Sequence, residues 1–349
     1  MNWLMASCAT PNQQFLALAQ ARQAQLTKPP QALGTLETIA IRLAGLQACE
    51  QPSVERVQIS IFAGDHGIVA EGVSAFPQAV TQQMVANFLQ GGAAISVLAK
   101  SLQASLEIVD VGILEPLPEQ AGLVIQRAGA GTANSLQTAA MTCEQVQLAL
   151  QAGYAAAERA YSHQAELFIG GEMGIGNTTA ATVLYCALLN LSPSTMTGAG
   201  TGLDAAGIAH KTQVITQILQ RHAACGQDAL AWLTCAGGFE IAALTGAYLR
   251  AAQLGLPILL DGFITTAAAL VALKLQPALQ DWLFLSHTSA ERGHQSAIAA
   301  LGLQPLLDLN LRLGEGSGAA IALPIMRQAC LLHNQMATFA EAAVAGKLR

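Results

Sequence analysis

Short apolar runs that stop at glycine, aspartate or histidine recur along this chain, and they constrain its fold more than any other feature. Residues 57–63 end in Gly64-Asp65-His66-Gly67, residues 106–111 in Gly112, and residues 166–169 in Gly170-Gly171. Residues 256–260 end in Asp261-Gly262, and residues 282–285 in Ser286-His287. The runs do not alternate apolar with polar, which suits strands buried on both faces. Most lead into helical patterns, so the chain reads as βαβ units with right-handed crossovers. The expected fold is α/β, a doubly wound, mostly parallel, Rossmann-like sheet.

The chain ends differ from this middle. Residues 12–26 and 33–48 read as helices separated by Lys28-Pro29-Pro30, and a further Ala-rich helix is expected over 318–344. Together they predict a small helical domain formed from the termini, 1–52 with about 328–349. Residues 53–327 are expected to form the α/β domain that holds the functional site.

Composition narrows the class. Charged residues are only 11% and hydrophobic ones 52%, with a mean hydropathy of +0.42. Disorder needs the opposite balance. A net charge of −6, with no basic run, excludes a phosphate-backbone track, so no nucleic-acid partner is expected. A spanning helix needs about 20 apolar residues. The two best stretches, 173–203 and 239–275, are broken by polar or charged residues such as Asn177, Asn190, Glu240, Arg250 and Asp261. No membrane segment and no signal peptide are expected. The seven cysteines are scattered and form no CxxC, which argues against a disulfide framework and a zinc site. A cytoplasmic location is expected.

In an open parallel sheet, ligands bind at the carboxyl ends of the strands, and the informative loops lie there. The segment from Gly170 to Thr179 joins a strand to a helix beginning near Thr178. A second turn, Gly198 to Asp204, precedes another helix that carries Lys211. Glycines admit a ligand close to the backbone, and helix N-termini favour anions. The pair therefore reads either as a phosphate site or as two tight turns beside a solvated lysine. Neither turn is a Walker A motif, and Thr179 breaks the GxGxxG dinucleotide pattern. Glu315 stands between Gly314 and Gly316, ahead of an apolar helix. It reads either as a general base with a raised pKa or as a carboxylate settled on a helix dipole. Asp65-His66 fits a hydrogen-bonded loop better than a metal site. Ser286 to Glu291 reads as an N-cap with an acid in the first turn. No GxSxG elbow is present. Asp65, His66, Asp261 and Ser289 receive no further role.

Taken in order, these segments resemble the nicotinate-nucleotide–dimethylbenzimidazole phosphoribosyltransferase family. The matching stretches are AGDHGIVAEGVSAFPQAVTQQM, GGEMGIGNTTAA, GAGTGLD with Lys211, GGFEIAALTGA, LPILLDGF, SHTSAERG and RLGEGSGAAIALPI, spread over about residues 28–325. The resemblance implies transfer of the phosphoribosyl group of nicotinate mononucleotide to 5,6-dimethylbenzimidazole or a related base. The products are α-ribazole 5′-phosphate and nicotinate, with inversion at the anomeric carbon, in the lower-ligand step of cobalamin biosynthesis. It maps the general base onto Glu315 and places Glu172 beside the ribose. It places the nucleotide phosphate at Gly174, Gly176, Asn177, Thr178, Gly200, Thr201, Gly202 and Lys211. Phe76, Pro77, Met84 and Leu313 would form the slot for the base. It implies a homodimer, no cofactor and no metal.

The chain departs from its relatives at Phe76, where some carry a small or polar residue, and at Met84, where some carry glutamine. Both positions bear on which base is preferred. Gln31 replaces the glycine of a usual Lys-Pro-Pro-Gly turn. The competing readings are an NAD-type oxidoreductase, opposed by the broken GxGxxG, and a non-catalytic nucleotide-binding protein on the same scaffold, opposed by the intact Glu315. A diphosphate-using phosphoribosyltransferase would carry an acidic-pair-plus-threonine loop, which is absent.

Overall fold

The computed structural model describes residues 2–345. Seven strands form one sheet in the order β3-β2-β1-β4-β5-β6-β7. They are β1 Val57–Gly64, β2 Ser105–Gly112, β3 Leu123–Ile125, β4 Leu167–Met173, β5 Ile258–Leu260, β6 Leu283–His287 and β7 Pro305–Leu307. Every neighbouring pair is parallel, so the expected mostly parallel sheet is parallel throughout its described strands. All eight residues of β1 are buried, as an apolar strand covered on both faces requires. The strand order reverses direction between β1 and β4, and such a switch point opens a crevice at the carboxyl ends of the strands.

Several boundaries differ from the sequence reading. β4 does not end at Ile169 but continues through Gly170, Gly171 and Glu172 to Met173. There the two glycines pair with Ser60 and Ile61 of β1. β6 likewise takes in Ser286 and His287. Strands β3 and β7 have no counterpart in the sequence reading; each has three residues and none is buried. The last described helix is Ser317–Gln335 rather than 318–344. Extended backbone at Met336 ends it, and Thr338 then bridges antiparallel to Leu26. Residues 346–349 of the expected terminal domain lie outside the described residues.

The terminal segments meet on the sheet. Helices Gln13–Gln25 and Thr35–Gln47 pack on each other, and the second packs on Ser317–Gln335. Arg22 ties them further by donating to the carbonyls of His333 and Asn334 at 2.7 and 3.0 Å. Gln31 holds a left-handed φ of 63°, a conformation for which glycine is the unstrained choice. Among the described residues no helix is long and apolar enough to cross a membrane.

Candidate active site

The carboxyl ends of β4, β5 and β6, with the segments that follow β1 and β7, surround one cleft of about 670 Å³. β4 delivers Glu172 to its floor. The chain then turns through Gly174 and Gly176 into the helix Asn177–Leu189. Asn177 Nδ2 donates to Glu172 Oε2, which locks the acid against the helix start. Glu172, Gly174, Asn177 and Thr178 line this side of the cleft, and Gly200 and Thr201 line its rim. Glu315 lies beside Glu172, its turn resting on β4, and Leu313, Phe76 and Met84 add apolar lining.

Four of the expected site residues do not face the cleft directly. Gly176 is the left-handed N-cap of the helix Asn177–Leu189, packed against Val69 and His66. Gly202 lies in an adjoining depression with Arg292. Pro77 is an exposed residue beside Phe76; its carbonyl accepts from Val80 N at the start of the next helix. Lys211 is buried rather than solvated, and its Nζ reaches Thr178 Oγ1 at 2.6 Å. Burial lowers the Lys211 pKa to about 8, against the opposing pull of Glu291. Thr201 Oγ1 meets Ser74 Oγ at 3.2 Å and accepts from Ala75 N at 3.1 Å. That contact ties the glycine rim to the loop bearing Phe76.

The carboxylates are unusual in their burial. Glu172 is pushed up to about 8, first by burial, then by Glu240 and Asp261, against the Asn177 hydrogen bond. Glu315 is raised by burial and further by Asp261, opposed by the Ile95 amide, and its Oε2 has no hydrogen-bond partner. It also sits at a left-handed φ of 64°, which costs a residue with a side chain about 1–2 kcal/mol. Its backbone rests on β4. A Cβ added to Gly171 would come within 2.7 Å of the Glu315 carbonyl, so only glycine permits the approach.

Two groups were not legible as partners. His66 Nε2 pairs with Glu240 Oε1 at 2.6 Å, and both are fully buried. Burial pulls the His66 ring down, but Glu240 and then Asp65 outweigh it and hold the pKa above its ordinary value. Asp65 Oδ2 accepts from Leu114 N at 2.7 Å, so Asp65 and His66 form the hydrogen-bonded loop that the sequence favours. Glu240 is the lone acid of GGFEIAALTGA, and that isolation in an apolar helix was the signal available. Ser289 is no helix cap. It accepts from Glu291 N at 3.2 Å, and the helix begins at His294 behind a left-handed Gly293. Among the described residues no group of three or more His, Cys, Asp or Glu could hold a metal ion.

A family model described as phosphoribosyltransferase matches residues 8–344. A nicotinate-nucleotide–dimethylbenzimidazole phosphoribosyltransferase of Pseudomonas putida (strain KT2440) is 56% identical over 345 residues, spanning 99% of this chain and 98% of that one. The protein of the same description from Pseudomonas aeruginosa (strain UCBPP-PA14) is 54% identical, spanning 99% of each. The chain belongs to the nicotinate-nucleotide–dimethylbenzimidazole phosphoribosyltransferase family. A crystal structure of a protein so named from Thermus thermophilus superimposes with a TM-score of 0.91 at 46% identity. It covers 96% of this chain and 100% of that one. As a phosphoribosyltransferase the chain is a transferase on a Rossmann-like α/β fold, and the oxidoreductase and non-catalytic readings gain no support.

Proposed function

We propose that this phosphoribosyltransferase moves the phosphoribosyl group of nicotinate mononucleotide onto 5,6-dimethylbenzimidazole or a related flat base. Nicotinate and α-ribazole 5′-phosphate leave, completing the lower-ligand step of cobalamin biosynthesis. The observation that carries this reading is Glu315, a buried carboxylate with one free oxygen, in a cleft also lined by a glycine turn and a helix N-terminus.

The chemistry needs one base and no acid. The unprotonated ring nitrogen of the base attacks C1′ of the ribose as the proton on its other ring nitrogen passes to Glu315. The bond from C1′ to the pyridinium nitrogen breaks, and its electron pair neutralises the departing nicotinate. Attack opposite the leaving group inverts the β-nucleotide to an α-riboside. Burial holds the Glu315 pKa above the ordinary carboxylate range, closer to neutral pH, where a general base works best. Glu172 sits beside the ribose. The phosphate is held at the turn of Gly174 and Thr178 and at the rim of Gly200 and Thr201, with Lys211 behind Thr178. Asn177, Gly176 and Gly202 shape these turns, the Asn177 and Gly202 amides donating to the Gly174 and Ala199 carbonyls. The base stacks in the slot of Phe76, Met84 and Leu313, with Pro77 setting the loop that presents Phe76. Positioning of the two reactants supplies much of the rate.

The protein acts as a cytoplasmic homodimer whose smaller domain comprises 1–52 with about 328–349, the larger being 53–327. The close packing of Thr35–Gln47 on Ser317–Gln335 supports that grouping.

Incubation with nicotinate mononucleotide and a panel of benzimidazoles, purines and phenols, with products identified by mass, tests the activity. The expected result is nicotinate release with an α-ribotide of dimethylbenzimidazole. Binding of the nucleotide without release would overturn the reading. Sedimentation velocity tests the dimer.

A further inference from the structure

The turn that carries Glu315 is built from an awkward backbone. Gly314, Glu315 and Gly316 are consecutive left-handed residues, with φ of 82°, 64° and 79°. The helix behind them, Ser317–Gln335, has Gly316 as its N-cap and so no capping side chain of its own. The first amides of a helix lack intrahelical partners and need acceptors from elsewhere. Here the acceptor comes from another strand. Asp261, the residue after β5, accepts from Ala319 N at 2.9 Å on one carboxylate oxygen and from Gly316 N at 3.2 Å on the other. Asp261 is 1% exposed, and Ser286 Oγ donates to its carbonyl at 3.0 Å. Both carboxylate oxygens are therefore committed to the backbone that flanks and follows Glu315.

We infer that Asp261 is a positioning residue for Glu315, clamping the Glu315 turn through the Gly316 and Ala319 amides. The inference rests on the reading of Glu315 as the general base. A hydrogen bond to an ionised acceptor is stronger than a neutral one, which suits a clamp that must hold a left-handed turn. The Asp261 charge acts on Glu315 as well, favouring the protonated carboxyl. Glu315 feels Asp261 from the end of β5, Glu172 from β4 and the Ile95 amide from the helix Ala94–Leu102. Asp261 is faced by Glu172, by Tyr248 of the helix Phe239–Leu254, and by His287 of β6 beside Gly262 and Gly318. Burial lowers the His287 pKa, so it brings no charge at neutral pH.

Asp261→Asn keeps the size of the side chain and removes its charge. Nicotinate release is followed across pH in this variant, in Glu315→Gln and in the double variant, with nucleotide affinity measured by calorimetry. The expected loss in kcat for Asp261→Asn is on the order of 10- to 100-fold, with KM for nicotinate mononucleotide within about twofold. Burial raises Asp261 itself to about 6, so its charge raises Glu315 only above that pH; without it the part of the acid limb above about pH 6 moves to lower pH. On the Glu315→Gln background the substitution adds little, because the clamp acts through a base already lost. An unmoved acid limb, a normal kcat, or an equal loss on both backgrounds overturns the inference. Should Asp261→Asn not fold, Asp261→Ser is read by the same criteria.

Amide exchange on the unaltered enzyme asks the question without a variant. The Gly316 and Ala319 amides exchange slowly if the clamp is made, and exchange at open-loop rates overturns it. Near-normal turnover in Glu315→Gln sinks the base reading itself. That outcome differs from failure of the Asp261 inference alone, in which Glu315→Gln is inactive and Asp261→Asn is unimpaired.

Discussion

At Gly171, on the cleft floor, an added Cβ would come within 2.4 Å of Ile61 Cδ1 and 2.7 Å of the Glu315 carbonyl. At Gly202, beyond the rim, an added Cβ would meet nothing within 4 Å. The segments 170–176 and 198–202 are both glycine-rich and both precede a helix. In the first, glycine serves close packing: β4 runs through it, and the turn bearing Glu315 lies on top. The second is packed at one end and open at the other: an added Cβ would meet Glu291 at Gly198, and Thr178 and Lys211 at Gly200, while Gly202 stands free beyond Thr201, which is exposed and tethered to the Phe76 loop. The same residue type therefore fixes the geometry of the base at Gly171 and leaves only the Gly202 end of the rim free to adapt.

The largest effect belongs to the tight wall. Glu315→Gln leaves the shape of that wall and removes the proton acceptor. Turnover should fall about 10²- to 10⁴-fold, the usual worth of a general base, while nucleotide affinity stays within about twofold. Nicotinate release and calorimetry read the two. Gly171→Ala comes next. Its Cβ meets backbone as well as side chain, so the Glu315 turn must shift. The expected cost is about 1–3 kcal/mol of stability, read by denaturant unfolding, together with a fall in kcat.

Lys211 links the two regions, since it lies on the helix after the open turn and bonds to Thr178 on the closed one. Lys211→Met should raise KM for nicotinate mononucleotide about tenfold, or about 1.4 kcal/mol. The pH dependence follows from its burial. With the pKa lowered to about 8, the ammonium is charged below that pH and neutral above it. The kcat/KM for the nucleotide should therefore fall as pH rises through about 8. Glu172, also near 8, titrates in the same range. Lys211→Arg separates them, because a guanidinium stays charged and the basic limb assigned to Lys211 should vanish.

Much of this was legible in the residues, and what was not has a physical reason. The interior strands β1, β2, β4, β5 and β6 announce themselves because burial on both faces removes alternation. The edge strands β3 and β7 have three half-buried or exposed residues each, too few for any periodicity. Gly170-Gly171 reads as a loop because glycine weakens a strand. The need that overrides this, contact with the Glu315 turn, lies far away in the sequence. The same distance hides the partners of the acids. His66 and Glu240 are 174 residues apart, and Asp261 and Ala319 are 58 apart. A lone acid between glycines could be picked out as a candidate base. The residues that bury it, clamp it and set its proton affinity could not.

Gly202→Ala is the smallest effect and the sharpest test of the contrast. Its φ of 114° is poor for alanine, yet nothing surrounds it, so the exposed turn can relax without disturbing the core. Unfolding stability should fall by about 1 kcal/mol, the backbone cost of a side chain at positive φ alone, with no packing cost added. The KM for nicotinate mononucleotide should rise only about two- to threefold, as the turn closed by the Gly202 amide on the Ala199 carbonyl shifts the neighbouring Gly200 and Thr201. A stability loss equal to that of Gly171→Ala would break the comparison, because it would mean that the rim is as tightly held as the floor. An unchanged KM with unchanged stability would sharpen it in another direction. The phosphate would then be held by the turn at 174–178 with Lys211 behind it, and the open rim would serve mainly to anchor the Phe76 loop through Thr201.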